Sequence, residues 1–226
     1  MVLLRHGRTA WNAEHRFQGR ADPPLDDVGR AQAWEVAGIV VAMRPDLLVS
    51  STAARAMQTA EIVAEATGVP VRGEPHLVER GLGHWEGLTM DEVAARYPDE
   101  YAEWAAGQDV VRRGGETREQ VAARACAAFA QLPPARRTVI VSHGATIMAL
   151  TNGLLGLNQR LHLLGPLANC HWTELYAEPR GDGAQPVADS GHSVRWRLRG
   201  HNLGAPGTVV PLPALAAGEE ASDADA

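Results

Sequence analysis

Four side chains with the chemistry to bind and transfer an anionic group follow three short apolar segments of the chain. Arg5 and His6 come directly after the first segment. Arg55 follows the second segment, and His143 closes the third. An arginine presents a planar, charged fork that fits the oxygens of a phosphate or a carboxylate. A neutral imidazole offers a nucleophilic nitrogen near neutral pH. The three apolar segments are residues 2–4, 46–50 and 138–142.

These apolar segments predict buried strands of one sheet. Each is too short for a helix, and a continuous apolar run such as residues 138–142 is typical of a central parallel strand. Parallel strands place their carboxyl ends at one edge, where open α/β sheets bind ligands. The two arginines and two histidines would repel one another in that small volume, which favours a bound phosphoryl group. A metal site is disfavoured, because arginine does not ligate metals and no His-x-His, His-Glu-x-x-His or paired-Asp spacing occurs.

Helical segments alternate with the strands and predict an α/β fold, a three-layer α/β/α sandwich with a mostly parallel central sheet. Residues 80–115 contain a capping box and a helix-breaking proline, and they predict a small helical cap insertion. Two alternating segments, residues 169–177 and 192–199, predict a C-terminal β-hairpin. Three core helices are expected at residues 27–43, 55–67 and 116–132, and a further strand interrupted by two prolines at residues 69–77.

A long segment without periodicity, residues 9–25, is predicted to be an irregular loop. Loops of this length inside a compact domain are usually functional or disordered. This one carries Asn12 and Gln18, whose neutral amides could complete a phosphate cradle, although turn formation explains them equally well.

Composition restricts the classes of function. The 226 residues are 45% hydrophobic and 21% charged, as expected of one globular domain, placed here at residues 1–203. Residues 204–226 are rich in Ala, Gly, Pro and acids and predict a disordered acidic tail. This tail holds four of the acidic residues behind the net charge of −6, so the remainder offers no basic face for nucleic acid. No apolar run of membrane-spanning length and no basic leader occurs, so we expect a cytoplasmic protein without a membrane partner.

The order of several short blocks resembles the histidine phosphatase superfamily, also called phosphoglycerate mutase-like. The resemblance covers roughly residues 2–175 and departs at residues 52–54, where the family often has a proline and a leucine. The blocks are Leu4-Arg5-His6-Gly7-Arg8-Thr9 with Trp11-Asn12, Phe17-Gln18-Gly19, Ser50-Ser51 with Arg55-Ala56-x-Gln58-Thr59-Ala60, Glu79-x-x-x-Gly83-x-Trp85-Glu86-Gly87, Gly114-Gly115-Glu116 and Val141-Ser142-His143-Gly144.

The resemblance implies a catalytic role for each group. His6 would be the nucleophile and carry a transient phosphoryl group. Glu79 would protonate the leaving oxygen and then activate water. The resemblance implies that the protein uses no cofactor and no metal and that its ligand is a small phosphorylated metabolite. The residues expected to hold the phosphoryl oxygens are Arg5, Arg55, His143, Asn12 and Gln18.

The same site serves phosphatases and mutases, and the sequence favours a phosphatase acting on a small phosphomonoester. Mutases of the family carry a longer, more basic insertion between the acid and the second histidine. Here only 63 residues separate Glu79 from His143, and the chain has no lysine. Three alternatives remain open: a broad-specificity phosphomonoesterase, a phosphoglycerate mutase, and a non-catalytic phosphate-binding module. Non-catalytic relatives usually lack the nucleophile or an arginine, and this chain retains both.

The C-terminal part resembles actinobacterial family members that dephosphorylate glucosyl-3-phosphoglycerate. Asn169-x-x-Trp172-Thr173-x-Leu175 and Arg195-Trp196-Arg197-Leu198 carry this resemblance. By the same resemblance, Leu198 lies at the mouth of the substrate site. Homodimers are common in the family, but the sequence shows no interface.

Overall fold

A six-stranded sheet forms the centre of the protein in the computed structural model, which describes residues 1–161, 163–179 and 194–205. The strand order is β3-β2-β4-β1-β5-β6. The first four run parallel, β5 is antiparallel to β1, and β6 is antiparallel to β5. The strands are β1 (Val2–Arg5), β2 (Leu47–Ser51), β3 (Val71–Glu74), β4 (Thr138–Ser142), β5 (Trp172–Pro179) and β6 (Val194–Leu203).

Helices cover both faces of the sheet, which confirms the predicted three-layer sandwich. Side chains alternate along β1, so that Leu4 packs with α2 and α3 on one face, whereas Leu3 packs with α6 and α7 on the other. Both leucines are fully buried. The helices are α1 (Ala10–Ala13), α2 (Asp27–Met43), α3 (Ala54–Thr67), α4 (Met90–Arg96), α5 (Pro98–Ala105), α6 (Arg118–Ala130) and α7 (Gly144–Leu155). None of the helices in the described ranges is long and apolar enough to cross a membrane.

Two predicted elements differ from the structure. The loop predicted at residues 9–25 contains one helical turn, α1, because the Thr9 side chain and Asn12 form a capping box. The strand predicted at residues 69–77 stops at Glu74, since Pro75 cannot donate a ladder hydrogen bond and starts a 3₁₀ turn instead. The antiparallel pairing of β5 with β6 confirms the predicted hairpin. Its connecting loop and the predicted tail beyond residue 205 lie outside the described residues.

The segment predicted as a cap insertion has its own small core. Trp85 is fully buried there and packs against Phe17 and Trp104, with ring centroids 5.4 and 6.4 Å away. Helices α4 and α5 surround this cluster. From the sequence, Trp85 could equally pack in the core or line the mouth of the pocket; in the structure it is a core residue.

Glu116 attaches this segment to the body of the protein. Its carboxylate accepts hydrogen bonds from Arg124, Arg20 and the Gly81 amide, at 2.8 to 3.1 Å. Although burial raises the pKa of this carboxyl group, the bonds from Arg124, Gly81 and Arg20 outweigh burial and lower the pKa to about 2. The neighbouring Gly115 must lack a side chain, because a Cβ would lie 2.2 Å from the Gly81 carbonyl oxygen. The connection therefore depends on both close backbone packing and charge.

Candidate active site

The carboxyl ends of β1 and β4 bring the two predicted histidines together. Arg5 pairs with Ser142 in the parallel register, so the next residues, His6 and His143, stand side by side. Their ring centroids are 5.1 Å apart. Arg55 reaches the same place from the first turn of α3. The structure thus places the four cationic or basic side chains at one edge of the sheet, as the strand pattern indicated.

His6 is buried with one ring nitrogen engaged and the other available. Its Nδ1 lies 2.7 Å from the Gly7 carbonyl oxygen, which can only accept, so Nδ1 carries the proton and Nε2 keeps its lone pair. Burial lowers the pKa of His6 well below 6.5, and the charges of Arg5 and Arg55 lower it further. The imidazole is therefore neutral near pH 7. Gly7 allows this geometry, since a Cβ there would lie 2.4 Å from the Gly29 carbonyl oxygen.

Both predicted arginines are fixed by backbone carbonyl groups and keep a buried N–H without a partner. Arg5 donates through Nη1 to the Leu167 carbonyl. Arg55 donates to the carbonyls of Ala21 and Gly19 at 2.7 and 3.1 Å, so the loop before α2 holds it in place. The Nε–H of each arginine is buried and meets no acceptor. Burial lowers the pKa of both guanidinium groups, because a low-dielectric environment disfavours their positive charge.

His143 is completely buried at the start of α7. Its Nε2 lies 2.8 Å from the Ser51 hydroxyl oxygen, and its Nδ1 has no partner. Burial lowers the pKa of His143 well below 6.5, with further contributions from Arg55, His6 and Arg5. The ring is therefore neutral, and its tautomer decides whether Nδ1 can donate to a ligand.

Glu79 places its carboxylate at the amino terminus of α7. The backbone amides of Thr146 and Ala145 donate to it at 3.1 and 3.3 Å, and the Arg80 amide donates at 2.8 Å. The helix dipole favours a negative charge at this position. Glu79 and His6 line the same cavity of about 180 Å³, so a ligand between them contacts both side chains.

The two predicted amide residues also line this cavity. The Oδ1 of Asn12 accepts from the Thr9 amide at 3.1 Å and from Asn169 at 3.2 Å. These bonds turn its carbonyl toward the backbone and leave the NH₂ group for a ligand. The Oε1 of Gln18 is buried without a partner. Both positions suit the neutral contacts expected of them.

Leu198 lies elsewhere in the described structure. It stands on β6, the terminal strand of the sheet, opposite Leu175. Its side chain is 38% exposed and does not contribute to the cavity that contains His6. Its expected place at the substrate mouth stays a prediction.

Several contributors to the site had no assigned role in the sequence analysis. Ser51 contacts His143, and Asn169 donates to the His6 carbonyl at 3.0 Å as well as to Asn12. Thr59 accepts from the Gly7 amide at 3.0 Å. All three residues belong to the conspicuous sequence blocks, but only a three-dimensional arrangement shows which atoms they contact.

The arginine pair at residues 112–113 is not directed at a ligand. Arg113 is 2% exposed, and its guanidinium carbon lies 5.0 Å from the centre of the Trp85 ring system. Burial lowers its pKa to about 10. Arg112 forms an ion pair with Glu103. The sequence favours a solvated charged turn for this pair over contact with a second anionic group of the substrate. Exposed Arg112 agrees with that interpretation, whereas buried Arg113 does not.

No cluster of three or more His, Cys, Asp or Glu side chains that could hold a metal ion occurs within the described ranges. The donors around His6 are dominated by arginine N–H groups, which bind anions rather than cations.

Fold and cavity together define an α/β protein with two histidines and two arginines gathered at the carboxyl edge of its sheet. The sequence pattern of the histidine phosphatase superfamily (branch 1) matches residues 1–189. The chain belongs to this superfamily.

Individual relatives span most of the chain. A glucosyl-3-phosphoglycerate phosphatase of Mycolicibacterium vanbaalenii is 37% identical over 91% of this chain and 95% of its own length. A solved structure of a mycobacterial glucosyl-3-phosphoglycerate phosphatase with VO₃ is 36% identical, with a TM-score of 0.76 over 89% of this chain and 98% of that one. A probable phosphoglycerate mutase of Cronobacter sakazakii is 34% identical over 75% of this chain and 81% of its own length.

Proposed function

We propose that the protein hydrolyses a small phosphomonoester through a phosphohistidine on His6. The observation that carries this proposal is the neutral His6 imidazole, whose free Nε2 shares a cavity with Glu79. Arg5 and Arg55 line the same cavity, each has a buried Nε–H without a partner, and their positive charges can stabilise the phosphoryl oxygens. The cavity thus combines phosphate-binding arginines, a nucleophile and a proton donor, which favours an enzyme over a non-catalytic phosphate-binding module.

The proposed reaction has two displacement steps. In the first, His6 Nε2 attacks phosphorus, the bond to the ester oxygen breaks, and Glu79 gives its proton to the leaving alcohol. In the second, Glu79 takes a proton from water, the oxygen attacks phosphorus, and the P–N bond breaks. Inorganic phosphate leaves, and His6 and Glu79 return to their starting states. The arginines and His143 stabilise the charge on the phosphoryl oxygens in both steps.

The proposed substrate is glucosyl-3-phosphoglycerate, after the relatives that cover nearly the whole chain. A mutase is the second candidate, because another relative is named a probable phosphoglycerate mutase. A mutase must retain a second phosphate group. From the sequence, Arg112 and Arg113 could meet a second anionic group, although a solvated charged turn is the favoured interpretation. Arg112 instead contacts Glu103, and Arg113 contacts Trp85. We therefore favour transfer of the phosphoryl group to water, as in a phosphatase, over its transfer back to the substrate, as in a mutase.

The proposal includes a small phosphorylated metabolite as the ligand, a cytoplasmic location and no nucleic-acid partner. A homodimer, common among relatives by resemblance, is part of the same proposal and can be tested by sedimentation.

A substrate panel tests the proposed activity. Purified protein is incubated with glucosyl-3-phosphoglycerate, 3-phosphoglycerate and an aryl phosphate, with and without a chelator, and the products are identified. We expect phosphate release that the chelator does not change, with the highest kcat/KM for glucosyl-3-phosphoglycerate. Formation of 2-phosphoglycerate faster than phosphate release would favour the mutase.

Ser51 is expected to select the tautomer of His143. The Ala53 amide donates to the Ser51 hydroxyl oxygen at 3.3 Å, which leaves the hydroxyl proton for His143 Nε2. His143 then carries its own proton on Nδ1, the atom without a protein partner. Ser51→Ala should lower kcat about tenfold or more and shift the ¹⁵N resonances of His143 toward a mixture of tautomers.

Ser50→Ala is the matched control for this prediction. Ser50 is also completely buried on β2, but its hydroxyl donates to the backbone carbonyl of Ser51 at 2.9 Å. Each variant loses one buried hydroxyl, so both lose stability, but only Ser51→Ala should change the histidine resonances. Equal losses of kcat in the two variants would show that Ser51 has only a structural role.

A further inference from the structure

A second cavity adjoins the site that holds His6. Its volume is about 680 Å³, which lies in the range of pockets that bind small organic molecules. Arg80 and Ala145 line both cavities, so the two cavities are neighbours that share part of their walls. The smaller cavity has room for little more than a phosphoryl group and its immediate neighbours, so the rest of a larger ester has to extend elsewhere.

One face of α7 forms the floor of this second cavity. Ala145, Met148, Ala149 and Asn152 line it at the spacing of residues that share a helix face. At about 1.5 Å per residue, the floor extends roughly 10 Å from Ala145 to Asn152. The Ala145 amide donates to Glu79, so the floor begins beside the proposed proton donor. The leaving oxygen must be close to that carboxylate, and the alcohol behind it would continue along α7. We call this channel the α7 groove.

The far end of the α7 groove contains a buried polar atom without a partner. Asn152 is 5% exposed, and its side-chain oxygen accepts no hydrogen bond. Such an atom is costly to bury unless a ligand or water donates to it. Gln159 lies beside it, and its Nε2 donates to the Ala149 carbonyl at 3.1 Å. The side-chain amide of Asn152 can form a hydrogen bond with a hydroxyl group, which can itself both donate and accept.

The walls of the α7 groove combine aromatic, aliphatic and charged surface. Trp104, at the end of α5, contributes an indole, and Met148 and Val121 contribute aliphatic surface. Arg80 and Arg118 also line the groove, and both donate to Asp109, at 2.6 and 2.8 Å. Asp109 therefore offsets part of their charge, which makes the groove less suited to a second phosphate. Apolar surface for ring carbons beside hydrogen-bonding groups for hydroxyls fits a sugar-like molecule.

We propose that the α7 groove binds the alcohol half of the substrate, a hydroxyl-rich group about the size of a hexose. The proposal rests on the phosphatase activity proposed above and assigns specificity to residues outside the phosphoryl site. Ala149 sets the depth of the groove, the side-chain amide of Asn152 forms a hydrogen bond with a hydroxyl at its far end, and Trp104 covers one side of the ring.

Filling the α7 groove tests this assignment. Ala149→Leu adds three carbon atoms to its floor, and Asn152→Ala removes the unpaired oxygen. We expect Ala149→Leu to lower kcat/KM for glucosyl-3-phosphoglycerate at least tenfold more than kcat/KM for 3-phosphoglycerate, which lacks the sugar. Asn152→Ala should shift the same ratio in the same direction. Ala127→Leu, at an exposed position on α6, is the matched control and should leave the ratio unchanged. An unchanged ratio in both groove variants would overturn the proposal.

A binding measurement separates failure of the groove from failure of the proposed activity. Glucosylglycerate, the alcohol product without phosphate, is titrated into wild-type protein in the presence of vanadate. We expect saturable binding that Ala149→Leu weakens at least tenfold, while Ala127→Leu binds as the wild type does. This result would support the groove even if no tested ester were hydrolysed. Absence of glucosylglycerate binding to the wild type would overturn the groove even if the phosphatase activity were established.

Discussion

Replacing His6 with asparagine should lower the hydrolysis of every phosphomonoester by at least about four orders of magnitude, because no other side chain in the pocket replaces a lost nucleophile. Asparagine keeps an N–H group that can donate to the Gly7 carbonyl, so the β1 terminus should retain its local structure. Arg5 and Arg55 remain to bind anions. The variant should therefore bind vanadate or phosphate although turnover is lost, and steady-state kinetics together with calorimetry would measure both quantities.

His76→Asn is the matched control for this prediction. His76 lies on an exposed 3₁₀ turn before Glu79 and pairs with Glu74, outside the cavity that contains His6. We expect its activity to stay within about twofold of the wild type, since surface substitutions have small effects. Activity of the His6→Asn variant within tenfold of the wild type would contradict a covalent role for His6.

Replacing Glu79 with glutamine should lower turnover of alkyl phosphates by about a hundred- to ten-thousandfold, the usual contribution of a positioned proton donor. Glutamine keeps one side-chain oxygen, which can accept from the Thr146 and Arg80 amides that donate to Oε1 of Glu79. Only the Ala145 bond to Oε2 is lost, so the start of α7 should be largely preserved. An aryl phosphate has a leaving group that needs no proton. Transfer to His6 should therefore stay fast for that substrate, whereas hydrolysis of the phosphoenzyme should become slow.

Rapid-mixing kinetics measure this difference. The Glu79→Gln variant should release one equivalent of phenol per active site in a burst and then turn over slowly, because Glu79 also activates the water of the second step. Glu103→Gln, which changes an exposed carboxylate paired with Arg112, should show the kinetics of the wild type. Equal slowing of the burst for aryl and alkyl phosphates would contradict proton donation by Glu79.

The sequence predicted the part of the site that depends on neighbouring strands. Residues 138–142 form a continuous apolar run, which identifies a central strand, and its pairing with β1 places His143 beside His6. Arg55 follows the same logic at the end of β2. These positions depend on local patterns and on the general geometry of parallel sheets, so a single sequence is enough to derive them. The role of Glu79 depended on family resemblance, because a lone carboxylate in a glycine-rich stretch has no distinguishing pattern.

Contacts between distant parts of the chain could not be derived in this way. Asn169 contacts the carbonyl of His6 and the side chain of Asn12, although the six helices α2 to α7 lie between these residues in the sequence. Arg113 belongs to a turn that the sequence indicates is charged and solvated, but its side chain is buried and stacks on Trp85. The α7 groove is built by α5, α6, α7 and neighbouring loops. The spacing along α7 indicates a shared helix face, but no sequence pattern shows which elements lie opposite that face. Such features depend on how helices pack, which periodicity alone does not specify.

Trapping the phosphoenzyme tests the central claim most directly. Wild-type protein and the Glu79→Gln variant are mixed with labelled aryl phosphate, quenched in alkali to preserve phosphohistidine, and digested for mass spectrometry. The account predicts one phosphoryl group on the peptide that contains His6, transient in the wild type and close to stoichiometric in Glu79→Gln. Recovery of unlabelled protein while phosphate is still released, or a label on any residue other than His6, would contradict it.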